Sequence, residues 1–274
     1  MTVKGKKHAK EKGGAKNMVS VPDDGAARAP GRAAARPSRL ARIARAFAFA
    51  AAPFLFMPLA AALLLTLYRA EREIGAGAEM VMSPPSLMFA AGMLLATLLC
   101  VAFRNSVRPY LRAHEFTHAL FGWICFAKVS DLVIARFGGK VRISKSNIMI
   151  LLSPYFVPFY AFLLVMVYAP VSLFIPMSGT VIGRAYVFFI GLAWGHHFWW
   201  TFAALWQLQP DLRDYGCFFS VTLILFANLL ALCLLFGIYS PITWSGLLAH
   251  AGNETAAVFA WLYDFATYLA GFLR

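Results

Sequence analysis

Charged residues are scarce in this chain of 274 residues. They make up 14% of the sequence, whereas hydrophobic residues make up 61%, and the mean hydropathy is +0.67. Soluble domains carry about 25% charged residues, so the composition excludes an ordinary soluble globular protein. Several apolar runs reach the about 20 residues that cross a bilayer. The sequence therefore predicts an all-α polytopic membrane protein.

Two kinds of metal chemistry lack the residues that they need. The four cysteines stand in or beside apolar segments without CxxC spacing, so neither a zinc ribbon nor a disulfide framework is indicated. The chain has only six histidines and no HxxHH box, whereas a membrane di-iron oxidase needs several histidine clusters. Any metal site must therefore be built from few ligands.

The excess of positive charge is concentrated at the N-terminus. Residues 1–45 hold twelve Lys and Arg against three acidic residues, which is +9 of the net +13. This segment is rich in Gly, Ala, Pro and Lys and has no apolar periodicity, so residues 1–44 are predicted to be a disordered basic tail. It lacks the aromatic residues and motifs of a nucleic-acid-binding segment. The positive-inside rule places it in the cytoplasm.

The rest of the chain reads as about six membrane-embedded helices. Residues 45–251 form the predicted core, and residues 252–274 form an apolar C-terminal helix that is either a last span or interfacial. Prolines in the apolar run 147–176 predict kinks or a broken helix. A Gly138-Gly139 turn within residues 128–146 predicts a small β-hairpin. Spans are predicted at about residues 46–68, 86–103, 185–206 and 217–237.

The motif HEFTH interrupts this apolar pattern. An ionisable residue at membrane depth costs about 2.5–3.5 kcal/mol and is therefore a functional candidate. His114 and His118 are four residues apart, so on a helix both imidazoles can reach one metal ion. Glu115 is rotated by about 100° from His114 and is placed to act as a general base on a bound water. The alternative is a pair of histidines that form hydrogen bonds across a helix bundle.

A catalytic zinc site needs a third protein ligand. Asp211 follows Pro210 and precedes an apolar helix, so its carboxylate can point into the bundle from a helix end. Asp214 is an alternative ligand, or an N-cap of the helix that begins near residue 217. His196 and His197 are further candidates, although the sequence favours a polar pair satisfied within the bundle over ligation.

Taken together, HEFTHAL, the hairpin, LSPYFVPFY and QPDLRDYGCFFS with Asn228 in the next helix resemble the site-2 protease family of intramembrane zinc metalloproteases. The likeness covers about residues 110–235 and is greatest to compact bacterial members without a PDZ domain. It implies that His114, His118 and Asp211 bind zinc and that Glu115 is the catalytic base. Better-known members carry Asn-Pro and Leu-Asp-Gly around the aspartate, which this chain lacks, so Asp214 stays open as the third ligand.

The resemblance also gives the hairpin a role. In the family such a β element can hold the unwound substrate by strand addition, and residues 132–136 and 140–144 offer candidate edges. The alternative is a surface hairpin whose lysines and arginines rest on lipid headgroups.

Shared ligation restricts the topology. If the HEFTH helix and each later apolar segment crossed once, Asp211 would emerge on the opposite side from His114. Residues 113–127 are too short to cross, and the segment after them is basic. The HEFTH element is therefore predicted to dip in from the cytoplasmic side and return, or else residues 147–176 form two half-spans.

The sequence thus predicts a multi-pass zinc endopeptidase of the bacterial plasma (inner) membrane. Its N-terminus would lie in the cytoplasm, and it would cut a membrane protein or a membrane-associated peptide. The alternative is a non-catalytic membrane scaffold or accessory protein that retains the protease fold.

Overall fold

The computed structural model describes residues 39–76, 82–103, 107–134, 139–177 and 179–272. Nine helices and one β-hairpin are present in these ranges, so the predicted helical fold with a small hairpin after the HEFTH helix is confirmed. In chain order they are α1 Arg39–Ala76, α2 Pro84–Ala102, α3 Val107–Ile124, β1 Val129–Ile134, β2 Gly139–Ile143, α4 Ile148–Phe156, α5 Phe159–Ser172, α6 Val181–Trp206, α7 Pro210–Arg213, α8 Cys217–Tyr239 and α9 Trp244–Phe272.

Three helices are long and apolar enough to cross a membrane, namely the 46–75 part of α1, α2 and α8. The pair α4 and α5 would be a fourth span if the two helices count as one, although they meet at an angle of 78°. This bend is the break that the prolines of residues 147–176 predict. The count is lower than the predicted number of about six membrane-embedded helices, because polar residues reduce the mean hydropathy of the other helices. Arg184 and a histidine pair do so in α6, and Glu254 and Asp264 do so in α9.

Small residues hold α2 and α6 together. Gly191 and Gly195 form a GxxxG pattern in α6. A Cβ atom at Gly92 would overlap the backbone oxygen of Phe188, and one at Gly195 would lie 3.0 Å from the Cβ of Ala96. Backbones therefore touch along this pair, which is how helices associate in lipid. Because residues 92 and 96 meet residues 191 and 195 in the same order, α2 and α6 run parallel.

Helix α3 does not belong to the candidate spans. The ring of Tyr110 near its start lies 6.2 Å from the ring of Trp200 in the last part of α6. Further along α3, Nε2 of His118 lies 3.8 Å from Oδ2 of Asp211 in α7, which follows α6. Helix α3 therefore runs past the end of α6. Its C-terminal half lies at the end of the bundle where α2 and α6 end and α8 begins.

The hairpin is antiparallel and irregular. Val129 pairs with Ile143, and the register shifts between Ser130 and Val133. The strands are Val129–Ile134 and Gly139–Ile143, so they begin slightly earlier than the predicted edges 132–136 and 140–144. Residues 135–138, which include Gly138 of the predicted turn, lie outside the described residues, whereas Gly139 begins β2.

The two chain ends differ from the predicted boundaries. Residues 1–38 of the predicted tail lie outside the described residues, and residues 39–44 belong to α1. The predicted C-terminal helix is part of α9, which begins at Trp244. Helix α9 packs along α1, where an ion pair joins Arg69 to Glu254 at 3.2 Å.

Candidate metal centre

Three potential ligands from two distant segments converge at this end of the bundle. The ligand atoms of His114, His118 and Asp211 all lie within 4.8 Å of one another. The histidines are one turn apart on α3, as their spacing predicts. Asp211 lies in the first turn of α7, far from both histidines in the sequence, and its carboxylate lies next to them in the fold. Among the described residues, these form the single group of three or more such side chains with metal-site spacing.

The orientation of His118 is fixed by a backbone contact. Its Nδ1 lies 2.7 Å from the carbonyl oxygen of Ile150 in α4. A carbonyl only accepts, so Nδ1 carries the proton and donates it, which leaves the Nε2 lone pair directed at Asp211. In histidines that bind metals, the ring nitrogen that does not bind the metal typically donates a hydrogen bond of this kind.

Asp211 is held by the residues around it. Pro210 occupies the first helical position, where its missing amide is tolerated, and Leu212 is fully buried in the core beneath the site. The hydroxyl of Tyr155 lies 3.1 Å from Oδ2 of Asp211 and 2.6 Å from Oε1 of Gln209. Burial raises the pKa of the Asp211 carboxyl, and the nearby His118 opposes that rise.

His114 is the most enclosed of the three. Its ring meets the edge of Tyr155 at 5.2 Å and that of His118 at 4.8 Å. Its Nδ1 is buried and has no hydrogen-bond partner among the described residues. Burial lowers the pKa of both imidazoles, which favours the neutral form that binds a metal. A buried nitrogen without a partner, beside two other potential ligands, is an arrangement that a bound metal ion would satisfy.

Glu115 lies beside the cluster and under the hairpin. A Cβ atom on Gly139, the first residue of β2, would lie 2.8 Å from Cδ and 2.9 Å from Oε1 of Glu115. Only glycine therefore lets the strand approach this carboxylate so closely. Burial raises the pKa of Glu115 to about 7, and the charge of Asp211 adds to the rise. A carboxyl with such a pKa can both accept and return a proton near neutral pH.

The other residues considered from sequence do not belong to the group of three ligands. Asp214 is exposed and is not in the cluster. Its predicted alternative role as an N-cap is wrong, because Gly216 occupies that position of α8 and no side chain caps it. His197 is buried, with Nε2 3.5 Å from Oγ1 of Thr201, and it also contacts the backbone of Tyr155 and the side chain of Asn228, so it lies beside the site. The ring of His196 lies 6.4 Å from that of Tyr160.

Sequence reasoning missed the residues that support the ligands. Tyr155, Ile150 and Gly139 stand in apolar or turn segments, where nothing in the pattern marks them as part of a site. Asn228 and the segment LSPYFVPFY, which contains Tyr155, are marked only by the family resemblance. The Nδ2 of Asn228 donates to the carbonyl oxygens of Tyr155 and Ile224, both at 2.9 Å, so α8 holds the end of α4.

The donor set fits zinc. Two imidazoles and one carboxylate are a common set in catalytic zinc sites, which keep a fourth position open for water. Ligand atoms bound to one tetrahedral ion lie about 3.4 Å apart, so side-chain shifts of about 1 Å would bring these three into range. Neither thiolate nor further histidine is near enough among the described residues to favour a structural site.

Comparison of the chain with protein-family models, with curated proteins and with solved structures finds no match. The likeness to site-2 proteases therefore stays a prediction.

Proposed function

We propose that this protein is an intramembrane zinc metalloendopeptidase of the site-2 protease type. The observation that carries the proposal is the convergence of His114, His118 and Asp211, with Glu115 beside them, at one end of a bundle of apolar helices. His114, His118 and Asp211 would hold the ion. When bound, zinc supplies Lewis-acid polarisation of the scissile carbonyl and lowers the pKa of a water molecule.

The chain's own residues perform the remaining steps. Glu115 takes a proton from the attacking water and delivers it to the leaving amine, which its raised pKa suits. Ile150 keeps the Nε2 of His118 directed at the site. The hairpin covers Glu115 on one side, and its strand edges offer backbone partners to a substrate whose helix has unwound.

The substrate would be a peptide bond in or near a transmembrane segment. A site at one end of the bundle suits a bond close to the membrane surface. We place the protein in a bacterial plasma membrane with about six membrane-embedded helices and the N-terminus in the cytoplasm, the side that the basic residues favour.

The first test is the metal content of the detergent-purified protein, measured by elemental mass spectrometry. We expect about one zinc per chain in the wild type, loss of zinc in His118→Ala and Asp211→Ala, and retention in Asp214→Ala, as tetrahedral sites with three protein ligands require. The second test is cleavage of a panel of transmembrane peptides, with Glu115→Gln as the control that keeps zinc but loses activity.

The two measurements separate the candidate functions. Absence of stoichiometric zinc from the wild type would overturn the proposal that the protein is a zinc endopeptidase. Zinc without cleavage by the wild type would instead favour a scaffold that retains the site.

A further inference from the structure

Helix α3 ends in a turn that normally requires glycine. The amide of Phe126 donates to the carbonyl oxygen of Trp123 at 2.9 Å, and the amide of Ala127 donates to that of Gly122 at 2.8 Å. These two bonds define a Schellman motif, and Phe126 occupies its left-handed position with φ of 55°. A side chain with a Cβ atom is strained in this conformation. The chain therefore keeps a bulky aromatic residue where glycine would fit better.

The strain is not offset by packing. Phe126 is 92% exposed, and its neighbours Trp123 and Ile124 are 52% and 58% exposed. We call these three residues the α3 tip. An aromatic residue held outward at a strained position indicates selection for a contact outside the chain, because strain of this kind collects at functional surfaces.

Lysines stand next to the α3 tip. Lys128 and Lys145 are exposed. The amide of Lys128 donates to Oγ of Ser144, and the amide of Ser144 donates to the carbonyl oxygen of Lys128, both at 2.9 Å, so the two lysines leave from adjacent points of the hairpin base. We call this pair the lysine rim.

No acidic residue neutralises this rim within the described residues 107–134 and 139–156. The acids there are Glu115, which lies in the site, and Asp131, which pairs with Arg142 at 2.9 Å. The surface is therefore apolar at the α3 tip and positive at its edge.

The depth of this surface follows from the helix contacts. Helix α3 passes the end of α6 at Trp206, and the α3 tip lies a further five residues, or about 7.5 Å, beyond His118. This is the end of the bundle at which the apolar helices α2 and α6 stop. Aromatic side chains and lysines at this level are the usual anchors at the interface between membrane and water.

We propose that the α3 tip and the lysine rim form an anchor that binds the anionic surface of the bilayer. The aromatic residues would enter the headgroup region, and the lysines would pair with anionic headgroups. The anchor would fix α3 at the membrane surface, independently of whether the metal centre binds zinc. A peptide or protein partner would use the apolar tip but would not require an anionic lipid.

The test uses the full chain in nanodiscs of phosphatidylcholine alone or of equimolar phosphatidylcholine and phosphatidylglycerol. Hydrogen exchange is measured at the amides of residues 123–128 and 139–146. In the wild type we expect slower exchange with the anionic lipid than with phosphatidylcholine alone. Each lysine near the anionic surface should slow the exchange by about fivefold. The double variant Lys128→Gln/Lys145→Gln should lose this difference between lipids. Arg184→Gln removes an exposed positive charge from the opposite end of α6. This control variant should keep the difference in exchange between the two lipids.

Phe126→Gly separates the aromatic contribution. Glycine suits the turn, so α3 should end as before, while exchange at the α3 tip becomes faster in both lipids. The proposal is overturned if the wild type exchanges equally in both lipids, or if the double lysine variant keeps the lipid dependence. Slower exchange that appears only when a soluble peptide is added would also overturn it and would indicate a peptide partner.

Discussion

The hydroxyl of Tyr155 lies 3.1 Å from Oδ2 of Asp211, while the ring of the same tyrosine lies against His114. One side chain from α4 thus contacts two of the three ligands, which come from α3 and α7. The carbonyl oxygen of Ile150, five residues earlier, fixes the third. Helix α4 is therefore the element that orients the whole metal centre.

Removal of the Tyr155 hydroxyl should weaken zinc binding. Loss of an outer hydrogen bond to a ligand costs about 10–100-fold in metal affinity. We expect Tyr155→Phe to raise the zinc dissociation constant by about this factor, measured by competition with a chromogenic chelator. The ring and its packing on His114 are retained, but the hydrogen bond to Gln209 is also lost, so the metal-free protein should lose about 0.5–1.5 kcal/mol of stability.

Tyr160→Phe is the matched control. Its hydroxyl donates to the carbonyl oxygen of Pro109 at 2.9 Å and contacts no ligand. The same substitution there should leave zinc affinity unchanged. Equal effects of the two variants would show that Tyr155 acts through general stability and not through Asp211.

The contact between Gly139 and Glu115 gives a prediction about catalysis alone. In Gly139→Ala, the new methyl group meets the carboxyl of Glu115, so either the strand or the carboxylate must move. A displacement of about 1 Å at a catalytic group can cost about 100-fold in rate. We expect peptide cleavage to fall by about that factor while the zinc content stays that of the wild type, because Glu115 is not a ligand.

Gly122→Ala tests the same interface without touching Glu115. Its Cβ atom would lie 2.8 Å from Cγ2 of Val129, the end of a side chain that can shift. Activity should therefore fall much less than in Gly139→Ala. Loss of zinc in Gly139→Ala would contradict the assignment, since it would mean that the hairpin supports the ligands.

Much of this arrangement could be predicted from the sequence, because it depends on local periodicity. The spacing of His114 and His118 requires one helix face, and the Gly138-Gly139 turn predicts a hairpin. The convergence of Asp211 with these histidines was only one of several open choices. Backbone carbonyls such as that of Ile150 have no sequence signal, and Tyr155 looks like any aromatic residue in an apolar helix. The span predicted at residues 185–206 falls in α6, which is not among the helices apolar enough to cross a membrane, because polar residues interrupt its apolar pattern.

The parallel contact between α2 and α6 should make Gly191 sensitive to a single methyl group. A Cβ atom there would overlap the backbone oxygen of Phe89, and backbone cannot move aside cheaply. We expect Gly191→Ala to lower the unfolding temperature in detergent, with a loss of about 1–3 kcal/mol typical of overpacking. In Gly252→Ala of α9, the new Cβ atom meets nothing within 4 Å. That variant should be neutral or stabilised, since alanine is the better helix former by about 1 kcal/mol.

Asn228 links the stability of the bundle to the metal centre. Its Nδ2 donates to the carbonyl oxygen of Tyr155, whose hydroxyl is near Asp211. In Asn228→Ala that carbonyl keeps its contact with His197 but loses one of its two donors, and the loss of one hydrogen bond costs about 0.5–1.5 kcal/mol. We expect a lower unfolding temperature without zinc and a weaker zinc affinity, because the end of α4 is no longer held. Asn253→Ala, at an exposed position of α9, should change neither. If Asn228→Ala lowers stability but leaves zinc affinity intact, then α4 keeps its position by packing alone, and the hydrogen bond serves the fold and not the site.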